Sequence, residues 1–392
     1  MLLAGCTGRG GTASGGRPGG ASQVAGGASG AATPVPFGWD LPGASYEAEL
    51  AADGSGFGVL VECVEGVPGG PEGFCRQHVA VLDRGASHWA LRKSPLPELA
   101  ASQGSTTRLV VFGGGRAWLE EGGAADPGRD GEAGARAGRT WFTSDGGRSW
   151  SEGRARGEVA AIPGGGVLGA ECAEPPGPDT GGCRTARLVV LSPVDGSLRA
   201  LARGPALAAD GLRAAERAEP DGSWWVTGRD PVTGRAAVAS SRDGGRSWTV
   251  ARLPGAAWDA RGVVVTAGRD AVYAAELGPV AGAEAAKNPL RALYRSADGG
   301  RSWQRVYATR PGTGPQTLLG RVVVRADGSL LLSGEGRSYE SRDGGRTFTG
   351  TAGHGWVRRT PAGYQAAGSE CAHSVSRDGE TWDEFVLGCG PE

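Results

Sequence analysis

The segment Ser241-Arg242-Asp243-Gly244-Gly245-Arg246-Ser247-Trp248 decides how this chain is interpreted, because near-copies of it recur along the sequence. An aspartate in such a segment can accept hydrogen bonds from the backbone of its own turn, and glycine supplies the positive φ that hairpin turns require. The aromatic residue then starts the returning strand and packs back over the turn. Close copies begin at Thr143, Ser296 and Ser341, a shorter copy begins at Ser376, and a longer, degenerate copy begins at Asp83.

We predict a structural role for these turns, since one carboxylate in each loop makes a poor calcium site. The residues assigned to this role are Asp83, Asp145, Gly147, Trp150, Asp243, Gly245, Trp248, Asp298, Gly300, Trp303, Asp343, Gly345, Phe348, Asp378 and Trp382.

A second landmark precedes the repeated segments, namely a Gly-rich turn that leads into a short apolar strand. In the third unit, residues 192–197 (Ser-Pro-Val-Asp-Gly-Ser) stand where the repeated turn is expected. Seven units of four short strands, a to d, are typical of propeller blades. We therefore predict an all-β fold, a seven-bladed β-propeller of four-stranded antiparallel blades over residues 37–392, with residues 37–41 as the candidate for closing the ring. The seven apolar strands are Phe57–Cys63, Arg116–Glu120, Val167–Cys172, Trp224–Thr227, Ala271–Glu276, Leu330–Ser333 and Tyr364–Ala367.

The repeated segments resemble the Asp-box, or BNR repeat, S/T-x-D-x-G-x-S/T-W, of sialidases and related β-propellers. The resemblance covers the turns and the number of blades, and it extends to the photosystem II assembly factor, a seven-bladed propeller that binds protein partners. Sialidases use an arginine triad and a tyrosine nucleophile, and their first arginine lies in a Phe/Tyr-Arg-Ile-Pro motif that this sequence lacks; residues 91–95 (Leu-Arg-Lys-Ser-Pro) do not match it. We expect a non-catalytic binding or interaction protein. The alternative is an exo-sialidase-like or other glycoside hydrolase, such as a xyloglucanase-like enzyme, acting on extracellular glycans.

The first residues suggest an anchor. Leu3-Ala4-Gly5-Cys6 resembles a bacterial lipobox, in which the cysteine is lipidated, and residues 1–36 read as a flexible Gly/Ser/Ala tether. Apart from Lys93 and Lys287, every basic side chain is arginine, which indicates a GC-rich, actinobacterial-type genome rather than ligand binding. We expect an extracytoplasmic lipoprotein at the cell surface, or a secreted protein, held at the membrane by its lipid alone.

The other six cysteines fit an oxidising compartment. In a propeller with up-and-down strands, the repeated turns are c–d turns on one face and the long insertions are b–c loops on the other. We predict three disulfides; free buried thiols are the alternative. Two of them close b–c loops at their bases, and the third joins the ends of strands b and d of unit seven on the same face. The predicted pairs are Cys63 with Cys75, Cys172 with Cys183, and Cys371 with Cys389. An unknown protein or glycan is expected on the loop-bearing face.

The charge and composition of the chain limit the classes of partner that it is expected to bind. With 41 basic and 42 acidic residues the net charge is −1, and such a chain has no bulk positive field for nucleic acid. The four histidines, His78, His88, His354 and His373, show no paired metal spacing. We therefore expect no nucleic acid, no metal, no cofactor and no catalytic residue.

Overall fold

The computed structural model describes residues 34–66, 73–100, 107–121, 138–173, 185–259, 262–282, 286–368 and 371–390. These residues form 29 strands arranged in seven sheets, and none of them is helical. The part of the chain that the structure describes therefore holds no helix that could cross a membrane.

Each sheet is one blade and comes from one continuous part of the chain. Blade one contains β1 (Ala44–Leu50), β2 (Gly56–Val64), β3 (Phe74–Leu82), β4 (Ala90–Arg92) and the short β5 (Leu99–Ala100). Blade two contains β6 (Arg108–Gly113), β7 (Arg116–Glu120), β8 (Thr140–Thr143) and β9 (Ser151–Glu152). Blade three contains β10 (Ala155–Val159), β11 (Val167–Cys172), β12 (Ala186–Leu191) and β13 (Leu198–Leu201), and blade four contains β14 (Arg213–Ala214), β15 (Trp224–Arg229), β16 (Arg235–Ser241) and β17 (Thr249–Ala257). Blades five to seven contain β18 (Val263–Ala267), β19 (Val272–Leu277), β20 (Leu290–Ser296) and β21 (Gln304–Ala308); β22 (Val323–Val324), β23 (Leu330–Ser333), β24 (Ser338–Ser341) and β25 (Thr349–Thr351); β26 (Trp356–Thr360), β27 (Gly363–Ala367), β28 (Ala372–Ser376) and β29 (Asp383–Val386).

The predicted seven-bladed β-propeller is confirmed. The apolar runs become the second strands of the blades, and the predicted Val167–Cys172 coincides with β11. The cores lie between neighbouring blades: one buried cluster joins Trp225 of blade four to Val265 and Tyr294 of blade five. Alternating strand residues face the two neighbouring blades, so each sheet is covered by apolar contacts on both sides.

Blade three does not follow the up-and-down order predicted for every unit. Its first strand, β10, lies at the outer edge of the sheet and pairs in parallel with β13, which gives the order β10-β13-β12-β11. Four of the five residues of β10 are exposed, whereas the first strand of blade two, β6, has four buried residues among its six. Charged side chains are common on edge strands, and β10 carries Arg156 and Glu158. The second strand, β11, takes the inner place instead, and the Leu168 N–H donates to the Glu216 carbonyl of blade four at 2.9 Å.

The ring closes between blade seven and blade one, and residues 37–41 take part in this seam. The Gly38 N–H donates to the Val386 carbonyl at 2.8 Å, and the Gly388 N–H donates back to the Gly38 carbonyl at 2.9 Å. Gly38 forms a parallel bridge with Leu387, just beyond β29. Gly38 thus ties the beginning of the described chain to its last blade.

Candidate functional site

The repeated Ser/Thr-x-Asp segments form the c–d turns of their blades, and we call them the aspartate turns. In blade two, the Thr143 hydroxyl donates to Asp145 Oδ1 at 2.9 Å and accepts from the Gly147 N–H at 3.0 Å. The Ser149 N–H and hydroxyl donate to the two Asp145 oxygens at 2.9 and 2.6 Å. The same set of bonds recurs around Asp243, Asp298 and Asp343. Each aspartate carboxylate is therefore hydrogen-bonded to residues of its own turn.

These hydrogen bonds keep the turn aspartates ionised. The hydroxyl and N–H of Ser149 lower the pKa of Asp145 to about 2, and those of Ser247 lower the pKa of Asp243 to about 2. For Asp343, burial raises the pKa, but the bonds from Thr347 outweigh it and bring the value to about 2. Hydrogen-bond donors that bind a charged carboxylate stabilise the charged form. The lowered pKa of these aspartates is therefore a consequence of the hydrogen bonds that build the turn.

In the four aspartate turns that contain two glycines, the second glycine packs against the preceding blade. Gly300 of blade five has φ +90°, and a Cβ there would lie 2.4 Å from the Trp225 ring of blade four. Gly345 of blade six has φ +86°, with Leu293 of blade five 2.7 Å from the same point. Glycine is required at these positions both for its φ and for the close approach.

The aromatic residues of the turns also reach the preceding blade, which the prediction of packing over their own turn did not include. Trp303 lies edge-on to Trp225 with ring centroids 6.3 Å apart, while its Nε1–H still donates to the Gly300 carbonyl of its own turn at 3.1 Å. Phe348 contacts Tyr307 at 5.0 Å in the same way. Each aspartate turn therefore links two blades.

Two turns depart from the pattern. Asp83 of blade one pairs with Arg92 at 2.9 Å and with Arg148 of blade two at 3.2 Å, so in the described structure it contributes through ion pairs. Asp195 lies in the c–d turn of blade three, as its position predicted, and accepts from the Ser197 hydroxyl at 2.7 Å.

The structure contains two of the predicted disulfides. Cys63 and Cys75 bridge β2 to β3 beside the b–c loop of blade one, and Cys371 is joined to Cys389 next to the seam. Cys172 is disulfide-bonded, whereas Cys183, the partner predicted for it, lies outside the described residues, as does Cys6. The disulfides lie on the face opposite the aspartate turns, because b–c loops and c–d turns are at opposite ends of the strands.

The channel between the first strands of the blades holds a set of ion pairs that the sequence analysis did not find. Arg217, which follows β14 of blade four, pairs with Glu49 of β1 and donates to the Val111 carbonyl of β6 at 2.9 Å. Glu49 also accepts from the Val111 N–H at 3.3 Å. This contact passes blade three, whose first strand has moved to the outer edge. The two side chains thus satisfy the inner edge of β6.

Similar arginine–glutamate ion pairs recur around the channel. Arg321 pairs with Glu219 and donates to the Val265 carbonyl of β18, while Glu219 accepts from the Ala267 N–H at 3.3 Å. Arg358 of β26 pairs with Glu47 of β1 at 2.8 Å and donates to the Ala48 carbonyl. Arg108 and Glu216 form a fourth pair at 2.7 Å, with 40% and 57% of their side-chain surfaces exposed.

These channel residues are paired with opposite charges, which makes them poorly suited to act as general acids or bases. Burial raises the pKa of Glu49, which the nearby Arg217 opposes, and Arg108 lowers the pKa of Glu216. A general acid needs a raised pKa together with access to substrate, whereas Glu49 is buried and bonded on both oxygens.

The structure brings a tyrosine and a glutamate together in a closed place. The Tyr294 hydroxyl donates to Glu276 Oε2 at 2.8 Å, and Arg291 donates to Oε1 at 3.0 Å. Tyr294 is 0% exposed and Glu276 is 2% exposed. Burial, followed by the bond to Glu276, raises the pKa of Tyr294 far above its usual range. Both residues belong to blade five, and Tyr294 packs in the buried cluster between blades four and five.

Exposed apolar side chains mark the loop-bearing face. Val64 ends β2, Val232 lies in the b–c turn of blade four, and Trp356 begins β26 at the mouth of the channel, with exposures of 46%, 83% and 49%. The aspartate-turn face carries Val194, which is 72% exposed beside an open cleft of blade three of about 270 Å³. Within the described ranges, no group of three or more metal-ligating side chains comes together.

No family model matches the chain, and no curated protein matches it. Among solved structures, it is similar to YCF48 bound to D1 peptide, at 16% identity over 90% of this chain and 84% of that chain, with a TM-score of 0.33. It is also similar to the GH74 xyloglucanase from Xanthomonas campestris (16% identity, 76% of this chain, 44% of that chain, TM-score 0.39). A third neighbour is a mutant of Trypanosoma rangeli sialidase displaying trans-sialidase activity (12% identity, 90% of this chain, 56% of that chain, TM-score 0.36). The neighbours thus include glycoside hydrolases and a peptide-bound protein.

Proposed function

We propose that this chain is a non-catalytic extracytoplasmic binding protein whose loop-bearing face holds a protein or glycan partner. The observation that carries the proposal is the construction of that face. Disulfides brace this face in blades one and seven, and Val64, Val232 and Trp356 are exposed on the same face. Loops held on a rigid scaffold commonly carry the residues of binding sites.

The organisation of the chain fits this role. We propose that the aspartate turns are Asp-boxes with a structural role, that residues 1–36 form a tether, and that residues 37–392 form the single propeller domain. A lipid on Cys6 would hold the protein at the cell surface. The disulfides support an oxidising compartment outside the cytoplasm.

Site-specific photo-cross-linking tests the binding face. A photoreactive amino acid replaces Trp356 or Val232 on the loop-bearing face, and Val194 on the opposite face serves as the matched control. We expect a discrete cross-linked product on native membranes from positions 356 and 232 and none from 194. Equal products from all three positions, or none from the loop-bearing face, would contradict the proposal.

Two further measurements test its other parts. Turnover of a fluorogenic sialoside or of xyloglucan by the purified full chain would favour the hydrolase alternative. Labelling with a fatty-acid analogue is expected for the wild type and lost in Cys6→Ser, and equal labelling of both would remove the anchor.

A further inference from the structure

A buried histidine lies at the seam where the ring closes. His373 of β28, in blade seven, is 7% exposed, and its Nε2 lies 2.8 Å from the Ser45 Oγ of β1, in blade one. Its ring stacks on Phe385 of β29, with centroids 5.2 Å apart and planes 22° apart. This side chain therefore connects the first and last blades through a hydrogen bond and a stacked contact.

The other ring nitrogen has no acceptor. His373 Nδ1 is buried and makes no hydrogen bond within the described structure. The neutral tautomer that fits carries its proton on Nε2, which donates to Ser45, and leaves Nδ1 as a bare lone pair. A proton added at Nδ1 would be a buried donor without a partner, which is unfavourable.

The surrounding charges oppose a second positive charge. Arg358 lies on β26, two strands away from His373 in the same blade, and its charge acts on the His373 ring. Arg358 also pairs with Glu47 of β1 at 2.8 Å. The remaining neighbours, Ser45 and Phe385, do not titrate near neutral pH. Desolvation, followed by the charge of Arg358, lowers the pKa of His373 to about 4.

We propose that His373 is an acid-sensitive lock of the propeller seam, and that its protonation separates blade one from blade seven beside the loop-bearing face. The sign follows from linkage. The pKa in the folded chain lies below the ordinary histidine value of 6.5, so the unfolded chain binds the proton more tightly. The stabilisation is full above pH 6.5 and is lost as the pH falls towards 4.

The experiment compares the full chain with His373→Gln, whose amide can keep the bond to Ser45 but cannot be protonated in this range. His88→Gln, in the exposed turn of blade one, is the matched control. Between pH 7 and pH 4.5 we expect the unfolding constant of the wild type to rise about 60-fold more than that of His373→Gln, which follows from pKa values of 6.5 and about 4. His88→Gln should follow the wild type, and His354 is unchanged in both proteins. An equal pH dependence of the wild type and His373→Gln would overturn the proposal.

Two measurements locate the effect and do not depend on the stability of the variant. The chain has four histidines, so an NMR titration of histidine-labelled wild type should show one ring that titrates near pH 4 and is absent from His373→Gln. A His373 resonance that titrates near 6.5 would overturn the proposal. Hydrogen exchange at pH 5 should increase first in β1 and β28 relative to β19, whereas a uniform increase over all blades would count against a lock at the seam.

Discussion

Replacing Arg217 by methionine tests whether the channel pairs hold the ring together. The substitution leaves Glu49 buried without its hydrogen-bonded arginine, with only the charge of Arg358 still acting on it, and frees the Val111 carbonyl of β6. Side-chain exposures of 5% for Glu49 and 11% for Arg217 place this pair among buried ion pairs. Loss of one partner of such a pair is destabilising by about 3–5 kcal/mol. We expect a decrease of this size in the free energy of unfolding at pH 7, measured by urea denaturation.

The pH dependence of the variant gives a second readout. Burial already raises the pKa of Glu49, and Arg217 is the main charge that opposes this, so the variant should hold the proton on Glu49 to higher pH. A raised pKa contributes stability below the unfolded value, which is lost as the pH rises through the folded value. The deficit of Arg217→Met should therefore shrink when the pH is lowered from 7 towards 5.

Two controls make this prediction refutable. Arg301→Met removes an exposed arginine of an aspartate turn and should change stability by less than about 0.5 kcal/mol. The double variant Glu49→Gln, Arg217→Met removes the uncompensated charge and should recover much of the loss. A deficit below about 1 kcal/mol, or one that is the same at pH 5 and pH 7, would refute the role given to the pair.

Three further predictions concern the turns and the disulfides. Gly300 has φ +90°, and a Cβ there would lie 2.4 Å from Trp225, so Gly300→Ala should lower the free energy of unfolding by about 2–5 kcal/mol through strain and overpacking. Gly222 also has positive φ, but a Cβ there meets no atom within 4 Å. Gly222→Ala should therefore lose only the backbone contribution, and thermal unfolding of the two variants would show the difference. Replacing Cys63 and Cys75 by serine should destabilise by about 3 kcal/mol in the chain-entropy model, and denaturation midpoints unchanged by reductant would contradict this. The pKa values of about 2 for Asp145 and Asp243 predict that these carboxylates stabilise the fold fully above pH 3.8 and lose this effect as the pH falls towards 2. An Asp243→Asn variant should therefore show a shallower acid unfolding transition than the wild type. An identical transition would show that these carboxylates do not contribute to acid unfolding.

The sequence predicts the fold well because its signals are local. The turn at Asp243 depends on residues within four positions of the aspartate, and the pairing of Cys63 with Cys75 spans only 12 residues. Such features are present in one short stretch of chain. The period of the repeats then gives the number of blades.

The sequence did not predict features that depend on distant partners. Arg217 and Glu49 are 168 residues apart, and no local pattern distinguishes this arginine from the others. The displacement of β10 depends on what else can fill the inner place of blade three. The Arg-Gly-Glu run within Ala155–Val159 was a usable signal, since the first strands β6, β18 and β22 carry buried valines.

The seam also determines how the propeller would carry mechanical load. A force applied at Val35 first reaches the bond between the Trp89 Nε1–H and the Pro36 carbonyl. It then reaches the two hydrogen bonds between Gly38 and residues 386–388. The Leu387 N–H donates to the Cys371 carbonyl, and the Cys371–Cys389 disulfide joins the same tail to β28. Traction on Val35 would therefore reach the last blade through hydrogen bonds before it reaches β1, and the disulfide would keep the tail that receives the load attached to β28.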